Sequence, residues 1–203
     1  MVAPLAKLNR DLSAVLALAA LEPAPAALVH DAADTVAAIV LLEEAEELIG
    51  ATRLFAFALP RREAVWWAAM CAIHTATSGQ SAGRPGGQAD GERLVREAAE
   101  NWVRQQDDKT RHTAMELARG VGFACPESWV AMAAFWSGDS MAPPEQPKVP
   151  PGPQLTGTAV AGAVALSAAR GDAKLMAARL TRFLASARDI ADGGAGRIQA
   201  GSE

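Results

Sequence analysis

Two cysteines and two histidines are the side chains of this chain best suited to chemistry. Cys71 and His74 lie three residues apart on a predicted helix and share a face, so they could form a nucleophile–base pair. Together with His112 and Cys125 they could in principle surround a zinc ion. However, their spacing is not a zinc signature, and Cys125 precedes a proline instead of a second ligand. The sequence therefore favours two free, buried thiols, with no metal site and no cofactor.

Arg61 and Arg62 are the most informative charged pair, because they open a predicted helix directly after Pro60. Cations in the first turn oppose the helix macrodipole, at a cost of about 0.3–1 kcal/mol each. Some interaction must offset this cost. The favoured interpretation is pairing with the acidic cluster at residues 43–47. The alternative is that the two arginines bind a carboxylate or phosphate of a partner.

Tryptophan is the other distinctive residue type. Trp66 and Trp67 are adjacent, so a helix directs them about 100° apart, and only one can lie centrally in a core. The other must meet a second element or solvent, where it would be a candidate hot spot for binding. Packing of both rings, one of them under a proline-rich segment, is the simpler interpretation. If the chain binds a partner, the predicted contact residues are Arg61, Arg62, Trp67 and Trp136, with the proline-rich segment as a second surface.

The composition indicates a helical protein. The chain has 203 residues, of which 50% are hydrophobic and only 5% aromatic, and nearly a quarter are alanine. Alanine has the highest helix propensity and allows helices to approach closely, whereas β-branched and aromatic residues are too sparse for a large sheet. The net charge of −4 argues against nucleic-acid binding. No apolar run reaches the roughly 18 residues of a membrane helix, so we expect a cytoplasmic location and no membrane insertion.

Hydrophobic periodicity predicts an all-α fold, a compact bundle of about eight or nine helices. The first predicted helix covers residues 8–20, the second begins at 31 or 34 and ends at 44, and the third ends at 59. The other predicted helices cover residues 61–75, 92–106, 108–119, 126–136, 157–170 and 173–191. Helices 92–106, 108–119 and 126–136 resemble the successive hairpins of helical-repeat proteins, although no period repeats well enough to indicate a solenoid.

The remaining segments define the predicted domain organisation. Residues 1–30 form a variable N-terminal helix, and residues 31–194 form a single helical domain. Within that domain, the Gly- and Ser-rich segment 78–91 is predicted to be a flexible loop. The proline-rich segment 143–153 is predicted to be an extended strap across the surface. Residues 195–203 are predicted to be a disordered tail.

Several motifs of this chain resemble those of an uncharacterised bacterial domain family, whose members often lie in type VI secretion gene neighbourhoods. The resemblance covers residues 30 to 194, and its motifs are Leu59-Pro-Arg-Arg-Glu-Ala-Val-Trp-Trp-Ala, Glu100-Asn-Trp-Val103, Ala134-Phe-Trp-Ser-Gly138, Ala142-Pro-Pro144 and Leu155-Thr-Gly-Thr-Ala-Val-Ala-Gly-Ala163. The family has no known activity, so the resemblance implies no catalytic residues.

Three functional hypotheses follow from these observations. The first is a non-enzymatic helical accessory protein, an adaptor or chaperone-like partner of a protein such as a secretion component. The second is an enzyme that uses Cys71 and His74, with or without a metal ion. The third is a helical-repeat regulatory module that binds a peptide in a groove. The resemblance and the lack of a recognisable catalytic motif favour the first hypothesis.

Overall fold

The fold is all-α, as predicted. The computed structural model describes residues 5–76, 86–143 and 145–198, and contains no β-strand within these ranges. None of the described helices is both long and apolar enough to cross a lipid bilayer. The described residues form ten α-helices: α1 Leu12–Ala19, α2 Pro23–Leu28, α3 Thr35–Glu44, α4 Leu48–Ala58, α5 Arg61–Ala76, α6 Gly86–Gln105, α7 Asp108–Val121, α8 Pro126–Trp136, α9 Leu155–Ala169 and α10 Met176–Ala191.

Helix α9 is the centre of the bundle, because it packs against α4, α5, α8 and α10. Its small side chains make this possible. A Cβ atom on Gly157 would lie 2.6 Å from the ring of Phe57, and one on Gly162 would lie 2.4 Å from the ring of Trp129. Both distances are far inside van der Waals contact, so these two glycines allow aromatic rings from α4 and α8 to rest directly on the α9 backbone.

Helices α6, α7 and α8 pack on one another, as the predicted hairpins require. Asp107 is the N-cap of α7, and its carboxylate accepts a 2.7 Å hydrogen bond from the backbone N–H of Thr110. Gly122 ends the same helix with a φ of +79°, a conformation that favours glycine. Pro126 then occupies the first turn of α8. Local capping signals therefore determine both connections of this three-helix unit.

Helix α10 carries the apolar stripe that its periodicity predicted. A short 3₁₀ turn, Ala173–Leu175, precedes it, and Gly171 separates this turn from α9 with a φ of +75°. The buried hydrophobic side chains of α10 are Leu180, Phe183, Leu184, Ala187, Ile190 and Ala191. The stripe faces α4, α5 and α9, which places the helix over the main core.

The N-terminal region differs from the single helix predicted over residues 8–20. Helix α1 begins only at Leu12, where the Asp11 carboxylate caps it, and the Pro23–Leu28 segment forms the separate helix α2. Pro23 lies at the start of α2, where its missing N–H has no cost, instead of ending the preceding helix. Leu5, Leu8, Val15 and other side chains of this region join the main core, so its described part packs as one body with the rest.

The loop predicted over residues 78–91 is contradicted in its last six residues. Helix α6 begins at Gly86, so residues 86–91 are helical, and this part of the prediction is wrong. Residues 77–85 lie outside the described ranges. The glycines at 86, 87 and 91 suggested a loop, but all three lie within α6, and a Cβ atom on Gly91 would lie 2.7 Å from Val121 Cγ1 of α7, so close helix packing favours glycine there.

The proline-rich segment is not a straight strap. The backbone N–H of Gln146 donates to the Pro143 carbonyl, which closes a turn, and the N–H of Met141 donates to the Val149 carbonyl at 2.7 Å. The Ser140 hydroxyl accepts a hydrogen bond from the Val149 N–H at 3.0 Å. These contacts bring Met141 and Ser140 against Val149, and a second turn at Pro153 and Gln154 leads into α9.

The tail also differs from its prediction, because residues 195–198 are held against the body of the protein. The Ser186 hydroxyl donates to the Gly196 carbonyl at 2.7 Å, and Ile198 packs partly buried against the main core. Residues 199–203 lie outside the described ranges.

Candidate functional site

Arg61 and Arg62 connect three helices. Arg61 donates to the carbonyl of Ser137 at the end of α8 (3.3 Å), and Arg62 donates through Nε to the carbonyl of Val103 in the last turn of α6 (2.8 Å). Both acceptors belong to helix C-termini, which carry partial negative charge. These contacts offset the unfavourable position of the two cations at the start of α5. Both arginines remain exposed.

The predicted pairing of these arginines with the acidic cluster at 43–47 is wrong. Glu43 forms an ion pair with Arg188 of α10, and the guanidinium of Arg188 also lies over the ring of Phe55 at 5.8 Å. The sequence pattern correctly indicated that Arg61 and Arg62 needed compensation. It could not indicate that backbone carbonyls, which every residue carries, would supply it.

Trp67 is a core residue, which corrects its prediction as a partner contact. Its exposed fraction is 0%, its indole Nε1–H donates to the Phe183 carbonyl at 2.8 Å, and its ring packs against Phe55 with centroids 6.0 Å apart. A side chain buried and hydrogen-bonded in this way is not available to another protein. Trp67 instead joins α5 to α4 and α10.

The neighbouring Trp66 lies at the surface and lines an open cleft of about 260 Å³. Its indole Nε1–H donates to the carbonyl of Ala195 at 2.9 Å. The cleft is formed by the first two turns of α5, the last turns of α6 and α10, and the N-terminal segment. We call it the Trp66 cleft, and its lining residues are Lys7, Arg62, Glu63, Trp66, Val103, Arg104, Ile190 and Gly194.

The charged groups of the Trp66 cleft are predominantly positive. Lys7 and Glu63 form an ion pair across it, with Nζ and Oε1 3.3 Å apart. Arg62 and Arg104 add two further cations, and Arg104 is largely exposed with a 3.4 Å contact to Glu100. Arginine has more N–H donors than these contacts use, so both guanidinium groups can donate hydrogen bonds to a carboxylate of another molecule. The cleft thus combines an indole surface with a basic rim.

Trp136, the fourth predicted contact residue, is partly buried against the main core. It immediately precedes Ser137, whose carbonyl accepts the hydrogen bond from Arg61, so the structure brings these two predicted residues to the same end of α8. Sequence reasoning missed Trp66, Arg104 and Lys7. The adjacent tryptophan pair was a signal that one ring lies at the surface, but it did not show which.

Gly138, which follows Trp136 and Ser137, leaves room for the side chain of Arg111. Arg111 is buried, its Nε donates to Asp108 at 2.7 Å, and its guanidinium lies 5.4 Å from the centroid of Phe135. The ion pair with Arg111 lowers the pKa of Asp108 below its usual value. A Cβ atom on Gly138 would lie 2.3 Å from Arg111 Nε. The glycine therefore keeps Arg111 in its position between α7 and α8.

Replacement of Gly138 by alanine is expected to lower the free energy of unfolding by about 1–3 kcal/mol, because the added methyl group displaces Arg111 from its contacts. Urea titration followed by circular dichroism measures this difference. The control is Gly120→Ala, since nothing lies within 4 Å of a Cβ atom at that helical position. Equal stability of Gly138→Ala and the wild type would show that Arg111 moves without cost.

The Cys/His candidates do not gather into a metal-binding group in the described part of the chain. Cys71 is fully buried, and this burial raises the pKa of its thiol well above the usual value. The His74 ring packs edge-on against Phe183, and that of His112 against Phe135. Cys125 lies 3.1 Å from the Ser128 hydroxyl. Both thiols are free, as predicted, and no three His, Cys, Asp or Glu side chains of the described residues are grouped to hold a metal ion.

A buried ion-pair cluster joins α6, α8 and α9 on another side of the molecule. Arg170 donates through Nη1 to Glu127 at 2.9 Å and makes a second, shorter contact with the same carboxylate through Nη2. Glu92 lies 3.8 Å from Arg170 Nη2. Glu127 and Arg170 are both buried. This two-point contact orients the start of α8 relative to the end of α9.

Comparison with known proteins identifies a family but no characterised relative. No curated protein and no solved structure matches the chain. The model of one family, described as a family of unknown function (DUF6931), matches residues 38–191, which is most of the helical bundle and includes α5 with its two arginines and two tryptophans. The chain is therefore a member of the family of unknown function DUF6931.

Proposed function

We propose that this protein is a non-enzymatic adaptor or chaperone-like module of the cytoplasm that binds another protein through the Trp66 cleft. The observation that supports this proposal most strongly is the position of Trp66, a half-buried indole at an open, basic cleft. Tryptophan and arginine are the residues most enriched among binding hot spots. The cleft places both types side by side.

The charges of the cleft favour an acidic partner segment. Lys7, Arg62 and Arg104 outnumber Glu63 at the rim, although the whole chain has a net charge of −4. A carboxylate of the partner would meet the arginines, and an adjacent apolar side chain would cover the Trp66 ring. Because such contacts combine charge with apolar burial, they give specificity as well as affinity.

The partner that we propose is a component of a type VI secretion system. This step depends on the resemblance of the motifs around Arg61, Trp67 and Trp136 to a family encoded near such systems, and not on the geometry of the cleft. It concerns the identity of the partner alone, so a different partner would leave the proposed docking site unchanged.

Charge reversal at the rim tests the docking site. We expect Arg104→Glu to weaken binding of the partner by at least about tenfold, because it replaces an attractive contact with a repulsive one. The wild-type and variant proteins are compared by affinity capture from cells that encode the chain, followed by titration with the purified partner.

Arg119→Glu is the matched control, because Arg119 is also an exposed arginine in the last turn of a helix but does not line the cleft. Neither residue is buried, so both variants should remain folded, and Arg104→Glu loses only an exposed contact with Glu100. If Arg104→Glu and Arg119→Glu bind the partner equally well, the Trp66 cleft is not the docking site.

A further inference from the structure

The C-terminal segment 194–198 lies beside the Trp66 cleft and is held largely through its backbone. The Ala195 carbonyl accepts a hydrogen bond from the Trp66 indole at 2.9 Å, and the Gly196 carbonyl accepts one from the Ser186 hydroxyl at 2.7 Å. The Gly196 N–H donates to the Asp189 carboxylate, also at 2.7 Å. Three side chains of α5 and α10 thus bind consecutive peptide groups of a short, non-helical segment.

Two positions of the segment add side-chain selectivity. Gly196 is buried and has a φ of +67°, and a Cβ atom on it would lie 2.4 Å from Ile190 Cδ1. Only glycine fits there without strain. Two residues later, Ile198 packs against the main core. We call the surface that holds residues 194–198 the groove. It therefore selects a glycine that is followed, two positions later, by an aliphatic side chain.

The segment and the Trp66 cleft share residues. Trp66 lines the cleft and also binds Ala195, Ile190 lines the cleft and also contacts the position of Gly196, and Gly194 belongs to both. Gly193, with a φ of +96°, forms the turn that directs the chain from the end of α10 into the groove. The groove is therefore a continuation of the cleft that the chain's own segment fills.

We propose that this groove is a binding site for a short protein segment of the pattern small–Gly–x–aliphatic, and that residues 194–198 occupy it in cis until a partner segment displaces them. This inference rests on the proposed function, because it extends the same cleft and names the segment that enters it. The incoming segment would accept the hydrogen bonds of Trp66 and Ser186 and donate to Asp189, as Ala195 and Gly196 do now.

The chain's own segment competes with a partner segment for the groove, so it lowers the partner's apparent affinity. A segment tethered by a short linker has an effective concentration in the millimolar range. The apparent affinity of a competitor equals its intrinsic affinity multiplied by the fraction of molecules in which the groove is open. Wild-type protein should therefore bind a free copy of the segment poorly. A variant that cannot seat its own segment should bind the free copy well.

The test uses a fluorescently labelled peptide with the sequence of residues 192–198 and the full chain carrying Gly196→Val. The substitution expels the chain's own segment by the overlap with Ile190, while the groove residues remain. We expect half-saturation at a peptide concentration at least about tenfold lower than for the wild type, measured by fluorescence anisotropy. Arg197→Ala is the matched control, because Arg197 is exposed and should leave the segment seated.

Two further variants complete the test. Ile198→Asp also disfavours seating of the segment, by placing a charge against the core, and should expose the groove as Gly196→Val does even if one of the two variants folds poorly. Adding Trp66→Phe to Gly196→Val should abolish the gain in peptide binding, because phenylalanine cannot donate to the peptide carbonyl.

If Gly196→Val and Ile198→Asp bind the peptide no better than the wild type, the inference is wrong, whatever the partner of the cleft. The assay contains no partner, so its outcome is independent of the Arg104→Glu experiment. If the peptide binds these variants but Arg104→Glu binds the partner as well as the wild type does, the proposed docking function of the cleft is wrong. The site for the segment is then still supported by the peptide assay.

Discussion

Replacement of Trp67 by alanine is expected to lower the free energy of unfolding by about 3–5 kcal/mol. The indole is fully buried, packs against Phe55 and donates to the Phe183 carbonyl. Its removal leaves a large cavity where α5 meets α4 and α10, together with a buried carbonyl that has lost its side-chain donor. Chemical denaturation followed by circular dichroism measures the loss, and it is large relative to the stability of most domains.

Trp66→Ala is the matched control, because the two tryptophans are neighbours on the same helix and differ mainly in burial. Its expected loss is about 1–2 kcal/mol, since only part of the ring is removed from water. Similar losses for the two variants would mean that Trp67 is not the residue that joins these helices. Partner binding by folded Trp67→Phe should equal that of the wild type, because the side chain does not reach the surface.

Removal of the Glu127 carboxylate is expected to have the second large effect. Glu127 is 1% exposed and makes both contacts to the Nη atoms of Arg170. Among the described residues, Glu127→Ala leaves the buried guanidinium with the more distant carboxylate of Glu92, 3.8 Å away. We expect a loss of about 3 kcal/mol in the free energy of unfolding, because an uncompensated buried charge costs far more than the ion pair contributes.

A double variant separates the charge from the packing. Glu127→Leu combined with Arg170→Met removes both charges and should recover most of the stability, to within about 1 kcal/mol of the wild type. The exposed Glu116→Ala serves as the control for loss of a glutamate and should change little. If Glu127→Ala destabilises the protein by less than about 1 kcal/mol, another group must compensate the buried charge of Arg170 in its place.

Much of the fold followed from local patterns. Helices α5, α7, α8 and α10 begin and end close to their predicted positions, because their apolar periodicity and capping residues are encoded within each segment. Asp34 and Asp107, for example, cap α3 and α7 with their carboxylates. The side-chain spacing of α10 alone identified the face that the bundle buries.

The errors arose where tertiary contacts overrule local signals. Pro23 marked the end of one helix in the sequence but starts α2, and the glycines near residue 86 lie in α6 instead of a loop. The sequence predicts a disordered tail after Gly193-Gly194, and this prediction includes Gly196 and Ile198. They are ordered because Ser186, Asp189 and the core lie opposite them, which no local pattern shows.

The candidate site was only partly predictable. The unusual position of Arg61 and Arg62 correctly indicated a compensating interaction, and Arg62 does line the Trp66 cleft. Their acceptors are backbone carbonyls of α6 and α8, distant in sequence and without a residue signature. Whether Trp66 or Trp67 is buried depends on which face of α5 packs against α10. The hydrophobic pattern does not show this, because both neighbouring residues are apolar.

Site-specific photo-crosslinking in cells that encode the chain tests the docking site most directly. A photoreactive phenylalanine derivative is introduced at Lys7, which lines the Trp66 cleft, or at Glu116, an exposed residue of α7 outside it. Irradiation should produce a covalent adduct with one partner protein from position 7 and none from position 116. An adduct from position 116 without one from position 7 would contradict binding at the Trp66 cleft.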